Sequence, residues 1–231
     1  MCVKGYDLEP AAKAMEPCLH PRSRVISLLN GVDNAERLGR VLTCGQVLNG
    51  CVYISAHIAG AGRVRQTGGT CQLFFGSESG SLDDGQALET LLREGELKAT
   101  LTADIRTVVW EKFLFVAPLA SATAYLGQPF GTFARPSADR VLLEGLMDEV
   151  ARVGTARGVR WPAGATEKAL AKIGLFPYET KSSLQLDFER GGRKTEIETF
   201  TGYVVKSGRE LGIETPLHAN IYADLRGKTS R

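Results

Sequence analysis

Apolar residues change their spacing twice along this chain. Arg24-Val-Ile-Ser-Leu-Leu29 is a short apolar run that stops at Asn30-Gly31, the mark of a buried strand closed by a turn. Ahead of it, Asp7 followed by Pro10 signals a helix start, and the pattern predicts a helix over Ala11–Leu19. Val3-Lys4 leaves room there for only a strand's last residues. Asp33–Leu42 predicts a second helix, so strand, helix and strand alternate as in a parallel α/β sheet. From Gln46 the spacing shortens. Val47–His57, Arg63–Thr67 and Cys71–Phe75 are β runs punctuated by Gly60, Gly62, Gly68 and Gly69, which predicts antiparallel strands appended to the sheet. Ser81–Gly85 reads as a loop, Gln86–Arg93 as a helix and Leu97–Leu101 as a last strand.

After Asp104 the period becomes helical. Ile105, Val108, Val109, Phe115, Val116 and Leu119 recur at helix spacing to about Tyr125. Further helices are predicted at Ser137–Arg157, Ala165–Ile173, Ser182–Glu189, Thr195–Leu211 and Leu217–Leu225. Gly158, Gly174 and Gly212 stand where glycines follow helix ends. The expected fold is an α/β part over residues 1–103, followed by an all-α domain over residues 104–231.

Composition narrows the classes of partner. With 231 residues, 43% hydrophobic and 23% charged, the chain can bury a core without metals or disulfides. A net charge of +2 argues against a nucleic-acid partner, and Arg226–Arg231 reads as a solvated tail. No apolar run has transmembrane length and no basic-then-apolar leader opens the chain, so no membrane partner and a cytoplasmic location are expected. Cys2, Cys18, Cys44, Cys51 and Cys71 lack C-x-x-C spacing, which leaves no metal site and suggests small buried thiols.

Three stretches carry candidate chemistry. Lys112 sits in Val108-Val-Trp-Glu-Lys-Phe-Leu-Phe115, where lost solvation would lower its pKa and make it a proton donor. The same pattern also suits a lysine that extends its ammonium out of an amphipathic helix to water. Ser182-Ser183 precedes Lys194-Thr-Glu-Ile-Glu198, in which Glu196 stands at a helix start and so also complements the helix dipole. Asn30-Gly31 lies at the carboxyl end of a parallel strand, the edge where open α/β sheets bind ligands, although turn chemistry explains it equally well. Gly60-Ala-Gly62-Arg-Val-Arg65 only begins like a dinucleotide fingerprint, since Arg65 replaces its third glycine and strand-like residues follow. His20, His57 and His218 show no ligand spacing and read as ordinary polar residues.

In this order the stretches resemble the ketopantoate reductase family. Val3-Lys4-Gly-Tyr-Asp7 looks like its lysine-bearing segment, Leu28-Leu-Asn-Gly-Val-Asp33 is similar to its asparagine–glycine turn, and Val47–Gly50 with Thr67–Gly69 resembles its antiparallel strands. Trp110-Glu-Lys112-Phe-Leu matches its catalytic-lysine segment, and Ser182–Asp187 and Thr195–Glu198 are similar to its serine and glutamate segments. The resemblance implies an incomplete Rossmann-like sheet and NADPH-dependent reduction of a 2-oxo acid. It further implies that Lys112 stabilises and protonates the carbonyl oxygen. Glu196 would hold a substrate hydroxyl or orient the lysine, and Ser183 would bind substrate. Asn30 would touch substrate or cofactor, and Lys4 the cofactor.

Two departures qualify these implications. Where the family carries asparagines one and two turns beyond the lysine, this chain has Val116 and Ala120, which favours a less polar 2-oxo acid or another ketone. The family's G-x-G-x-x-G unit precedes the segment at which this chain begins, so a truncated chain is expected. The alternative function is a catalytically inactive relative that serves as a binding or dimerisation module, and a homodimer is compatible with either reading.

Overall fold

Parallel and antiparallel pairing meet in a single four-stranded sheet. The computed structural model describes residues 1–82, 85–191 and 194–229. It consists of two compact units, Met1–Val109 and Trp110–Arg231.

In Met1–Val109 a 3₁₀ turn at Gly5–Asp7 leads into α1 (Leu8–Met15) and a second turn at Glu16–Cys18. Then come β1 (Arg24–Ser27), α2 (Asn34–Val41), β2 (Gln46–Gly60), β3 (Arg63–Gly76), α3 (Gln86–Glu94) and β4 (Ala99–Leu101). The strand order is β1-β2-β3-β4: β1 and β2 are parallel, β2 and β3 form an antiparallel hairpin, and β3 and β4 are parallel. Leu8 and Ala12, one turn apart on α1, bury with Leu38 of α2 against Val25 and Leu29. Leu48, Leu73, Phe75 and Ala99 form a second cluster, closed by Leu88 and Leu92 of α3. The backbone of Met1 meets the outer edge of β1, where its amine donates to the Ile26 carbonyl (2.8 Å) and its carbonyl accepts from the Leu28 N–H (3.0 Å).

Several predicted boundaries shift for local reasons. The first helix ends at Met15 and tightens into the Glu16–Cys18 turn, which contains Pro17, a residue with no N–H to donate. The runs Arg63–Thr67 and Cys71–Phe75 belong to one strand. Its irregular pairing absorbs Gly69 (φ 86°) and Cys71 (φ 55°) without ending the ladder. The false fingerprint Gly60–Gly62 is the tip of that hairpin. Only Cys51 is a buried thiol; Cys2 and Cys18 are exposed and Cys44 and Cys71 intermediate, because four of the five fall at element ends or irregular pairing. Asp83 and Asp84 of the expected loop lie outside the described residues.

The second unit opens within α4 (Ile105–Leu126). A 3₁₀ turn at Phe130–Ala134 follows, then α5 (Ala138–Ala156), α6 (Ala165–Ala171), a turn at Lys172–Leu175 and α7 (Ser183–Glu189). The chain ends through a turn at Glu196–Glu198, α8 (Thr201–Leu211) and α9 (Pro216–Thr229). Leu143, Leu146, Met147, Val150 and Val153 of α5 are fully buried, and α5 packs on α8 and α9, which bury Val204, Val205, Ile221 and Leu225. Trp110 meets Phe113, Trp161 and Tyr203 edge-on at 5.6, 6.3 and 6.0 Å. Gly154 makes room for this group, since a Cβ there would lie 2.4 Å from the Trp161 ring.

The helix expected over Thr195–Leu211 is interrupted, because Phe200 (φ −102°, ψ −86°) is not helical and separates the Glu196–Glu198 turn from α8. Gly212 and Gly158 have the left-handed backbone expected after a helix, whereas Gly174 lies inside the Lys172–Leu175 turn. Arg226 and Lys228 belong to α9 rather than to a tail; Ser230 and Arg231 lie outside the described residues. Among the described residues no helix is long and apolar enough to cross a membrane.

Candidate active site

Lys112 is half-buried on α4, seven residues into the helix. At about 100° per residue, Val116, Leu119, Ala120 and Thr123 share its face, and Phe115 flanks it. Leu119 and Ala120 are buried, while Phe115 and Val116 stay half-buried like the lysine. An ammonium in that setting keeps partial solvation beside an apolar surface.

Two hydroxyl pairs fasten α4 to the segments that carry the other candidates. Thr123 Oγ1 lies 2.7 Å from Ser182 Oγ, and Ser121 Oγ lies 2.8 Å from Thr201 Oγ1, the first residue of α8. Both α4 hydroxyls also donate to carbonyls one turn back, at Leu119 and Ala117 (2.8 Å each). Ser182 is the N-cap of α7, where its Oγ accepts from the Gln185 N–H at 3.0 Å. Ser183 is the first helical residue and is exposed, so of the adjacent serines one is buried as a cap and the other faces solvent. Glu196 opens the turn after Thr195 and is only 4% exposed. Lys112, Ser183 and Glu196 therefore belong to Trp110–Arg231.

Lys4 and Asn30 belong to Met1–Val109. Asn30 is half-buried in the bend that follows β1, with Gly31 at φ 106°, a backbone that a residue with a Cβ rarely adopts. The buried amide of Asn34, at the start of α2, donates to the carbonyls of Asn30 (3.0 Å), Leu29 (3.4 Å) and Gly31 (3.4 Å) and holds the bend. Lys4 is half-buried ahead of the first turn. Its neighbour Gly5 gives its carbonyl to Arg37 Nη2 at 2.7 Å, and Arg37 also binds both oxygens of Glu9, at 2.8 and 2.9 Å. The hydrogen bonds from Arg37 hold the Glu9 carboxyl below its ordinary range.

One buried polar pair corrects the reading of His218 as an ordinary polar residue. His218 is fully buried, with Nδ1 2.7 Å from Glu149 Oε2. The same carboxylate accepts the N–H groups of Leu217 (2.8 Å) and His218 (3.0 Å), capping α9 from α5. Burial pushes the His218 pKa down, and its Nε2 has no partner among the described residues, which fits a neutral ring protonated on Nδ1. Burial alone would raise the Glu149 pKa, but the bonds from His218 and Leu217 outweigh it and leave a net lowering. The signal was legible in α5, where Glu149 interrupts the apolar face of Leu146, Val150 and Val153.

Two surface grooves of the helical unit contain none of the candidates. One is lined by Arg140, Glu144, Asp148 and Glu167, the other by Arg152, Thr155, Ile213 and Glu214. Among the described residues no three His, Cys, Asp or Glu side chains gather as a metal site.

Family models match in chain order. The one described as "Ketopantoate reductase PanE/ApbA" covers residues 1–80, and "Ketopantoate reductase PanE/ApbA C terminal" covers residues 104–229. The chain is 31% identical to a 2-dehydropantoate 2-reductase of Halobacterium salinarum, over 94% of this chain and 71% of that protein. It is 28% identical to one from Archaeoglobus fulgidus, over 99% of this chain and 75% of that protein. The crystal structure of a PanE/ApbA family ketopantoate reductase from Ralstonia eutropha superposes with a TM-score of 0.88 at 28% identity, covering 99% of this chain and 74% of that one. With both parts matched in order, this chain belongs to the ketopantoate reductase (PanE/ApbA) family.

Proposed function

We propose that the chain takes part in NADPH-dependent reduction of a 2-oxo acid to a 2-hydroxy acid, ketopantoate or a related substrate. The observation that carries this reading is a half-buried lysine on an apolar helix, within a family match that runs through both units. When bound, NADPH supplies the hydride. Addition to the carbonyl carbon leaves negative charge on oxygen, and Lys112 Nζ stabilises that charge and gives up its proton to form the hydroxyl. Glu196, buried as a carboxyl-bearing side chain beside a turn, holds a substrate hydroxyl or orients the lysine. Ser183 donates to the substrate from the exposed start of α7.

The residues at the carboxyl end of β1 fit a dinucleotide in kind. The Asn30–Gly31 bend offers an amide on the edge where open α/β sheets take such ligands, and its positive-φ glycine keeps the backbone approachable. Lys4 would offer an ammonium to a phosphate oxygen. Self-association into a homodimer is compatible with this function.

Absorbance of NADPH during incubation with a panel of 2-oxo acids, together with a fluorescence titration of NADPH, tests the reading. Expected are saturable binding and acid-dependent oxidation. Binding without oxidation by any 2-oxo acid would favour a non-catalytic binding role, and absence of binding would remove the cofactor role of Lys4 and Asn30.

A further inference from the structure

On either side of the Lys112 direction, one turn along α4, stand Phe115 and Val116, both half-buried. The Phe115 ring is stacked on Phe176 with centroids 5.9 Å apart and planes 18° from parallel. Phe176 in turn meets Phe130 edge-on at 5.3 Å, yet it remains 36% exposed. The strand of chain that carries it is pinned: Phe130 N–H donates to the Thr180 carbonyl (2.8 Å) and Gly131 N–H to the Tyr178 carbonyl (2.9 Å). Six residues beyond Phe176, Ser182 meets Thr123 of α4. A fixed aromatic surface that is left partly open therefore stands one turn along α4 from the lysine. Val116 and Ala120, one and two turns beyond the lysine, bring no donor or acceptor side chain to this face.

Resting on the reductase reading above, we infer that Phe115, Val116 and Phe176 form the wall against which the side chain of the 2-oxo acid packs. The site accordingly selects apolar, branched or aromatic 2-oxo acids over hydroxylated ones. Two effects act in the same direction. An apolar side chain laid on this wall leaves water, which is favourable in proportion to its area. A substrate hydroxyl laid on Val116 leaves its water partners and finds no replacement on this wall, with Glu196 then orienting the lysine rather than holding that hydroxyl.

The test compares pyruvate, phenylpyruvate and ketopantoate with the full chain in the presence of NADPH, by calorimetric binding and by NADPH oxidation. Phenylpyruvate is expected to be favoured over ketopantoate by about tenfold or more, the scale of discrimination an apolar pocket gives. Phe176→Ala should abolish that advantage, lowering kcat/KM for phenylpyruvate at least about tenfold more than for pyruvate, while Phe176→Leu should keep most of it. Val116→Asn should shift preference toward ketopantoate. Circular dichroism melts of each variant separate loss of fold from loss of selectivity. Pyruvate turnover combined with a preference for ketopantoate, or an equal loss for all three acids in folded Phe176→Ala, overturns the inference and leaves the reductase reading intact. No binding or oxidation of any of the three overturns both.

Discussion

The hydroxyl of Thr123 lies 2.7 Å from that of Ser182, which joins the face of α4 that carries Lys112 to the cap of the helix that begins at Ser183. Ser182→Ala removes this pair and the cap bond to Gln185 together. A cost of about 1–2 kcal/mol is expected, visible as a lowered Tm. Ser183→Ala, at an exposed position, should leave Tm nearly unchanged and raise KM for the 2-oxo acid. If both variants melt like the parent, the cap carries no stability; if only Ser182→Ala affects KM, the ligand contact belongs to the wrong serine.

Lys112→Ala should lower kcat by about a hundredfold or more while the protein keeps its fold and NADPH affinity. Lys112→Arg is the sharper variant. A guanidinium preserves the charge but does not give up a proton near neutral pH, so turnover should stay low. Recovery of activity with arginine would mean that charge alone suffices at this position.

Acid should weaken the helical unit through His218 and Glu149. Both groups have folded pKa values below their ordinary ones, 6.5 and 4.5. Stability from such groups is complete above the unfolded pKa and is lost as pH falls. Tm should therefore be level above neutrality, decline as pH drops below about 6.5, and decline further through the carboxylate range. His218→Asn should flatten the first decline. Glu149→Ala leaves two helix N–H groups and the ring N–H without their acceptor and should cost about 3 kcal/mol or more at neutral pH. An unchanged melting profile in His218→Asn would assign the acid sensitivity elsewhere.

Asn34→Ala releases the carbonyls of Leu29, Asn30 and Gly31 from their shared donor. A modest loss of about 1 kcal/mol is expected, with NADPH affinity falling several-fold because Asn30 is no longer held. Fluorescence titration alongside a thermal melt separates the two effects. A lowered Tm with unaltered NADPH affinity would make the bend a structural turn only.

Hydrophobic spacing made much of the architecture legible. The change from strand-rich to helix-rich sequence after Asp104 and the length of the Lys112 helix were both readable, because apolar residues repeat with the period of the element they build. What resisted reading was set by distant partners. Ser182 and Ser183 are chemically identical in sequence, and it is the contact with Thr123 and the bond from the Gln185 N–H that distinguish the cap from the exposed neighbour. Glu149 and His218 are 69 positions apart, so the carboxylate on an apolar face was legible but its partner was not. Gly68–Gly69 resembled a strand break because local signals cannot report that a partner strand tolerates an irregular register. On α4, Ser121 and Thr123 interrupt an apolar run, a cue that could have marked the fastening of this helix to its neighbours.

Past Tyr53 the β2–β3 hairpin extends away from everything the sheet buries. Its side chains at 54–59 and 61–67 are all exposed, so none of them belongs to the core. The length of this arm is therefore uncoupled from the stability of the sheet below it. Its tip at Gly60–Gly62 is a natural splice point, where a fluorophore, an affinity peptide or an entire guest domain can be grafted without replacing a side chain of the core.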